Sequence, residues 1–263
     1  MAVKVFDNGL KLGRVLTPPD AEPKFKFASY FDLNALPTIP ADVGHENLVP
    51  NYPMFLNDQL GDCVIAGSQH QLQIYHAESN TPINLTDQSA LANYEVWGNY
   101  NPNDPSTDGG VDMALAAQLW RTQGLLDADK QYHKIAAYVS LKPGNLNQLK
   151  ASVYLFSAVG IGIQFPNYAM DRFQKGQIWD VAGPGEDTTV EGGHYIPAVA
   201  VRNGNIYVVT WGKVIQMTPT FFQEYCDIAI VHFSQEMLLK GVTLDGFNTD
   251  ALTADLRSLT RLA

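Results

Sequence analysis

Residues 57–75 read NDQLGDCVIAGSQHQLQIY, and the reading of this stretch decides the fold. A Gly61-Asp62 turn delivers Cys63 as the first residue of a helical pattern. Beyond it Val64, Ile65, Leu72, Ile74 and Tyr75 alternate with small and polar residues over about three turns, which predicts a helix buried along much of its length. The first turn of a helix leaves backbone N–H groups unpaired and carries the positive end of the helix dipole, so a thiol there ionises more readily. That is a nucleophile's position. The competing reading is a packed core cysteine, because free Cys is among the most buried residue types. Asp62 weighs against the nucleophile, since a carboxylate beside the thiol disfavours the thiolate.

The whole chain sets bounds on both readings. With 263 residues, 46% hydrophobic and 17% charged, it describes an ordinary soluble globular protein with a sizeable core. A net charge of −10 argues against nucleic acid as a partner, because phosphate binding needs basic surface. Two cysteines, Cys63 and Cys226, are too few for a disulfide framework and fit a reducing compartment. The N-terminus shows no Sec-type signal, and the longest largely apolar run, residues 151–163, is too short to cross a bilayer. A cytoplasmic or virion-associated protein is expected, with no membrane partner, and no residue pattern calls for a cofactor or a bound metal.

Outward from residues 57–75, the chain divides into three. Residues 1–40 carry Pro18, Pro19, Pro23, Pro37 and Pro40, and predict an extended arm whose VFDNGLKLGRVL and FKFASYF segments lie on its own domain or on a neighbour. Residues 41–234 form the main domain. Within it Thr86 starts a second helix, VDMALAAQLWRTQG a third that Gly124 ends, and residues 146–156 a fourth. KIAAYVSL, SAVGIGIQF, HYIPAVAV and NIYVVTWG are short Val-, Ile- and Tyr-rich runs and predict strands. Helices first and sheet afterwards define an α+β domain. Residues 235–263 form a tail with an amphipathic helix, TDALTADLRSLTRLA. Cys226, in FFQEYCD, reads as a structural helix residue.

A cysteine nucleophile needs a base, a group to orient the base, and an oxyanion donor. His70 lies on the same helix about 10 Å along the axis, too far for a direct hydrogen bond. His45, His133 and His232 sit in no motif and read as surface or structural histidines. His194 follows Gly192-Gly193 and opens a strand, and it lies 131 residues after Cys63. That order and spacing suit a Cys-His hydrolase with the cysteine near the start of the domain. Asp104, Asp108 and Asp112 read as a solvated acidic loop, with a cation or a basic substrate as the alternative.

The combination PADVGHENLVPNYPMFLNDQLGDC, STDGGVDMALAAQLWRTQGLLD and GGHYIPAVAVRNGNIYVVTWG resembles the papain-like cysteine peptidase superfamily. GDC with GGH and VVTWG also resembles uncharacterised phage and prophage papain-fold proteins. The resemblance implies a papain-like fold, a helical half with the central nucleophile helix packed on an antiparallel sheet half. It makes Cys63 the nucleophile and His194 the base. The oxyanion donor falls on Asn57 by spacing or on Gln59 by residue type. The imidazole-orienting position falls on Thr210, sixteen residues after His194, with Trp211 shielding the site and Gly109 and Gly110 binding extended substrate backbone. A two-residue turn at Asn203-Gly204 sends Thr210 to the face away from His194, and a three-residue turn through Asn205 brings it back.

Two functions follow as expectations. One is a thiol hydrolase acting on a peptide, isopeptide or amide bond of a peptide or protein substrate. The other is a non-catalytic papain fold, a virion-structural or interaction module docking an assembly partner through its arm and tail.

Overall fold

The computed structural model describes residues 3–34 and 38–235, so the tail helix expected at 249–263 lies outside the described residues. Among the described residues, six α-helices precede or interrupt a curled sheet: α1 (Cys63–Glu78), α2 (Asp87–Trp97), α3 (Met113–Thr122), α4 (Leu146–Phe156), α5 (Asn167–Gln174) and α6 (Pro219–Tyr225). The main strands are β1 (Ile135–Ser140), β2 (Val159–Pro166), β3 (Val190–Arg202), β4 (Asn205–Thr210), β5 (Lys213–Met217) and β6 (Cys226–Ser234). They pair antiparallel in the order β5-β4-β3-β2-β6-β1. Helical half and antiparallel sheet half are both present, as the sequence predicts.

Local chemistry explains the helix boundaries. Thr86 caps α2 in a reciprocal box with Ser89, each side chain meeting the other's backbone N–H. Asp112 caps α3 through the Leu115 N–H at 2.7 Å. Gly124, at φ 96, turns the chain away after α3 in a conformation that glycine adopts without strain. The α1 helix is buried on nearly every side, its polar residues included. Each of these polar residues has a partner: Ser68 donates to Val64 O, Gln69 to Ser89 Oγ, and His70 meets Pro53 O at 2.8 Å. A helix with few free polar groups can lie between two layers.

Two apolar cores result. One surrounds α1, α2 and α3 with Tyr75, Tyr94 and Trp120 at its centre. The other fills the sheet against α4 with Phe156, Phe165, Trp179 and Phe221. Three elements were not predicted: α5, β5 and β6. Cys226 is not a helix residue, because α6 ends at Tyr225 and Cys226 opens β6, which lies between β2 and β1. Its alternating run CDIAIVHFS is a strand signal that the preceding FFQEY helix pattern masks.

The proline-rich arm folds back on the body. Residues Arg14–Val15 run parallel to Val111–Asp112 at the head of α3, while Arg14 pairs antiparallel with Gly193 of β3. This short strand therefore joins the helical half to the sheet half.

Candidate active site

Cys63 opens α1 behind Asp62, which holds the N-cap position. Both are buried, Cys63 at 1% exposure and Asp62 at 0%. Burial raises the Asp62 carboxyl well above the usual range, against the opposing Asn57 hydrogen bond. The same shift disfavours the charge that the sequence puts next to Cys63. Burial likewise pushes the thiol up to about 11, and the backbone N–H groups of Tyr195 and Gly13 act in the other direction. Cys63 and Cys226 are both free.

His194 lies fully buried in β3. Its Nε2 is 2.7 Å from Thr210 Oγ1, and its Nδ1 has no hydrogen-bond partner among the described residues. Trp211 stacks on the imidazole at 4.3 Å between ring centres and 16° between planes. Burial, with a smaller contribution from the Arg14 charge, depresses His194 to about 3, so the ring is neutral.

The register between β3 and β4 explains how Thr210 reaches His194. The turn is the two-residue form, with Asn203 at φ 49 and Gly204 at φ 78, and Arg202 pairs with Asn205 across it. By itself that turn would put Thr210 on the wrong face. A one-residue bulge between Ala198 and Ala200 shifts the register, so Ala198 faces Val208 and the strand beyond it turns over. The bulged Val199 carbonyl accepts from the His45 N–H at 3.0 Å. A bulge does what the three-residue turn would have done. Trp211 then sits at φ 42 in the next tight turn with Gly212 at φ 71, a strained conformation for a bulky residue.

The two oxyanion candidates part company. Asn57 is buried at 3%, its Nδ2 3.3 Å from Asp62 Oδ1 and 3.5 Å from Leu60 O. Gln59 is exposed on the same turn. Gly109 and Gly110 face the arm. Gly110, at φ 79, donates its N–H to Tyr94 Oη at 2.9 Å, and a Cβ there would overlap Gly13 O.

The arm was not expected in this place. Gly13 of the arm lies against Cys63, its backbone N–H directed at the thiol, and Val111 N–H donates to Gly13 O at 2.8 Å. A Cβ on Gly13 would overlap the Gly61 carbonyl. Leu12 is buried, and Trp211 Nε1 donates to Lys11 O at 3.3 Å. The void left between the arm and Gly109, Gly192 and Gly193 is only about 10 Å³. Three ion pairs fasten the segment: Lys4 to Glu191 at 2.5 Å, Lys11 to Asp108 at 3.0 Å and Arg14 to Asp227 at 2.7 Å. Asp108 is thus no solvated loop residue, since it also accepts from Gly61 N–H and Tyr94 Oη. The sequence signal for these contacts was the excess of basic residues, three against one acid, in residues 1–16.

The architecture, with the cysteine at the head of α1 and the histidine in β3 of the antiparallel sheet, is the papain-like cysteine protease fold. Among solved structures it is similar to xylellain, a cysteine protease from Xylella fastidiosa, with a TM-score of 0.64 at 14% identity over 88% of this chain and 97% of that one. Procathepsin B S9 from Trypanosoma congolense matches with a TM-score of 0.57 at 12% identity over 87% of each chain. Procathepsin L 3 of the Tenebrio molitor larval midgut gives 0.57 at 14% identity over 84% of this chain and 75% of that one. No family model and no curated protein matches the sequence. No described helix is long and apolar enough to cross a membrane.

Proposed function

We propose that the protein is a thiol hydrolase that cleaves a peptide or related amide bond, isopeptides included. The observation that carries the reading is the His194 imidazole, tied through Nε2 to Thr210, shielded by Trp211 and left with Nδ1 free. A buried imidazole with one nitrogen satisfied and the other open is arranged to take a proton there.

In the proposed reaction His194 Nδ1 accepts the Cys63 proton, and the thiolate attacks the carbonyl carbon to form a carbon–sulfur bond and an oxyanion. The Cys63 backbone N–H and Asn57 Nδ2 hold the oxyanion, Asn57 being preferred to Gln59 because it is buried in the turn. The carbon–nitrogen bond breaks as His194 returns its proton to the leaving amine. Water then attacks the thioester and gives its proton to His194. The carbon–sulfur bond breaks, releasing the acid, and the proton passes back to the thiolate. Thr210 accepts from Nε2–H throughout and keeps Nδ1 as the basic nitrogen. Gly109 and Gly110 present backbone to an extended substrate.

A second reading, a non-catalytic interaction module, draws on the filled cleft and on a thiol and imidazole both shifted away from their ionised forms. A Gly13→Val chain, in which the arm no longer seats, separates the two when offered a mixed fluorogenic peptide library at pH 7. Hydrolysis that disappears in the added Cys63→Ala or His194→Ala change is expected. No hydrolysis by the Gly13→Val chain, or hydrolysis that survives Cys63→Ala, overturns the hydrolase.

A further inference from the structure

The arm is a ligand that the chain supplies to its own cleft, and its side chains report what the cleft recognises. Arg14 is 4% exposed, with its guanidinium seated against Asp227 Oδ2 at 2.7 Å and Ile163 O at 3.2 Å. Space for it exists because two residues around it lack side chains. A Cβ on Gly162 would lie 2.9 Å from Arg14 Cζ, and one on Gly193 would lie 3.2 Å from Arg14 Nε. Met113 Sδ and Ile228 Cγ2 crowd the same point, so apolar atoms flank the guanidinium beside the carboxylate and the carbonyl oxygen. A planar cation with apolar faces fits such a slot better than an ammonium does.

The fit is incomplete. Both bonds come from Nη2, while Arg14 Nε and Nη1 and Asp227 Oδ1 are buried without partners among the described residues. A two-pronged arginine–carboxylate pair is stronger than this single-pronged one. The arm is therefore a ligand that a better-matched arginine can displace. Its other anchors point the same way: when residues 4–14 leave, Glu191, Asp108 and Asp227 lose their cations together and line the opened cleft with negative charge. That field favours a basic incoming chain and weakens with salt.

We infer that the Arg14 pocket, closed by Asp227 between Gly162 and Gly193, is a guanidinium-binding subsite, and that the substrates displacing the arm are peptides carrying arginine. This rests on the hydrolase reading for the word substrate and on the seated arm alone for the pocket.

The test separates the two. A full-length chain with Cys63→Ala and Gly13→Val is titrated with a labelled nine-residue peptide copying residues 9–17, and with the same peptide carrying uncharged citrulline for arginine. Arg14→Ala in place of Gly13→Val gives a second way to empty the pocket. Fluorescence anisotropy is expected to show the arginine peptide binding about 10- to 100-fold more tightly. The added Asp227→Asn substitution is expected to abolish the difference. Equal binding of the two peptides, discrimination that survives Asp227→Asn, or no binding by either chain overturns the inference. With Cys63 restored, arginine-selective binding without hydrolysis removes the hydrolase and leaves the pocket. Hydrolysis indifferent to arginine removes the pocket and leaves the hydrolase.

Discussion

Replacing Thr210 with Val tests the histidine's anchorage with little change of shape. His194 is fully buried, Thr210 is 4% exposed, and their 2.7 Å bond is the only one recorded for either ring nitrogen among the described residues. Valine fills the same space but leaves both imidazole nitrogens unsatisfied in a dry site, which costs about 1–3 kcal/mol. For a domain of this size that corresponds to a melting temperature lower by about 2–12 °C. Thr210→Ser keeps the hydroxyl and removes one methyl group, worth about 0.8 kcal/mol. Urea unfolding and thermal melts of the three chains decide the matter. If Thr210→Val is as stable as the parent, or Thr210→Ser loses as much as Thr210→Val, the bond does not hold the ring. On the proposed mechanism Thr210→Val, in the Gly13→Val background, also lowers kcat by about 100-fold with little change in KM, because the wrong tautomer reaches Cys63. A fall in kcat no larger for Thr210→Val than for Thr210→Ser would contradict that role.

Stability should fall in mild acid. His70, His194 and His232 are depressed by burial to about 4, 3 and 3, below the unfolded value of 6.5, so the unfolded chain takes up protons first and stability drops as pH falls from 6.5 toward 3–4. Asp62, raised in the fold, opposes this in part, because the folded carboxyl keeps its proton at pH values where the unfolded one has lost it. Denaturant titrations that give equal or greater stability at pH 5 than at pH 7 would refute the account. In the native chain Cys63 and Cys226 should both react slowly with iodoacetamide, while Gly13→Val should speed Cys63 at least about tenfold and leave Cys226 slow, since the thiolate and its access both limit the rate. Native Cys63 labelling as fast as a free thiol peptide would show that the arm does not cover it. Gly67→Ala should destabilise by about 1–3 kcal/mol in urea, because its Cβ overlaps the Tyr195 ring where α1 rests on β3. A neutral outcome would mean that the helix and strand are less closely packed than described.

The sequence by itself determined what depends on neighbours along the chain. The buried α1 helix is legible in the spacing of residues 63–78, the start of α2 in Thr86 and Ser89, the stop of α3 in Gly124, and the tight turn in Asn203-Gly204. Each is set by backbone preference or by side chains within a few residues. Helices before strands were enough to expect an α+β domain, and the papain-like form of it was implied by the resemblance of the segments around Cys63, Gly109-Gly110, His194 and Trp211. What only the tertiary structure decided are contacts whose partners are far apart. The Val199 bulge, which places Thr210 on the His194 face, has its carbonyl taken by His45, a residue no strand pattern connects to it. The arm meets Asp108 across 97 residues and Asp227 across 213, so no local preference encodes either pair. Burial is the remaining tertiary decision. The same desolvation that raises Asp62 also raises Cys63 and depresses His194, and it is a property of the packed molecule that residues 57–75 alone do not carry.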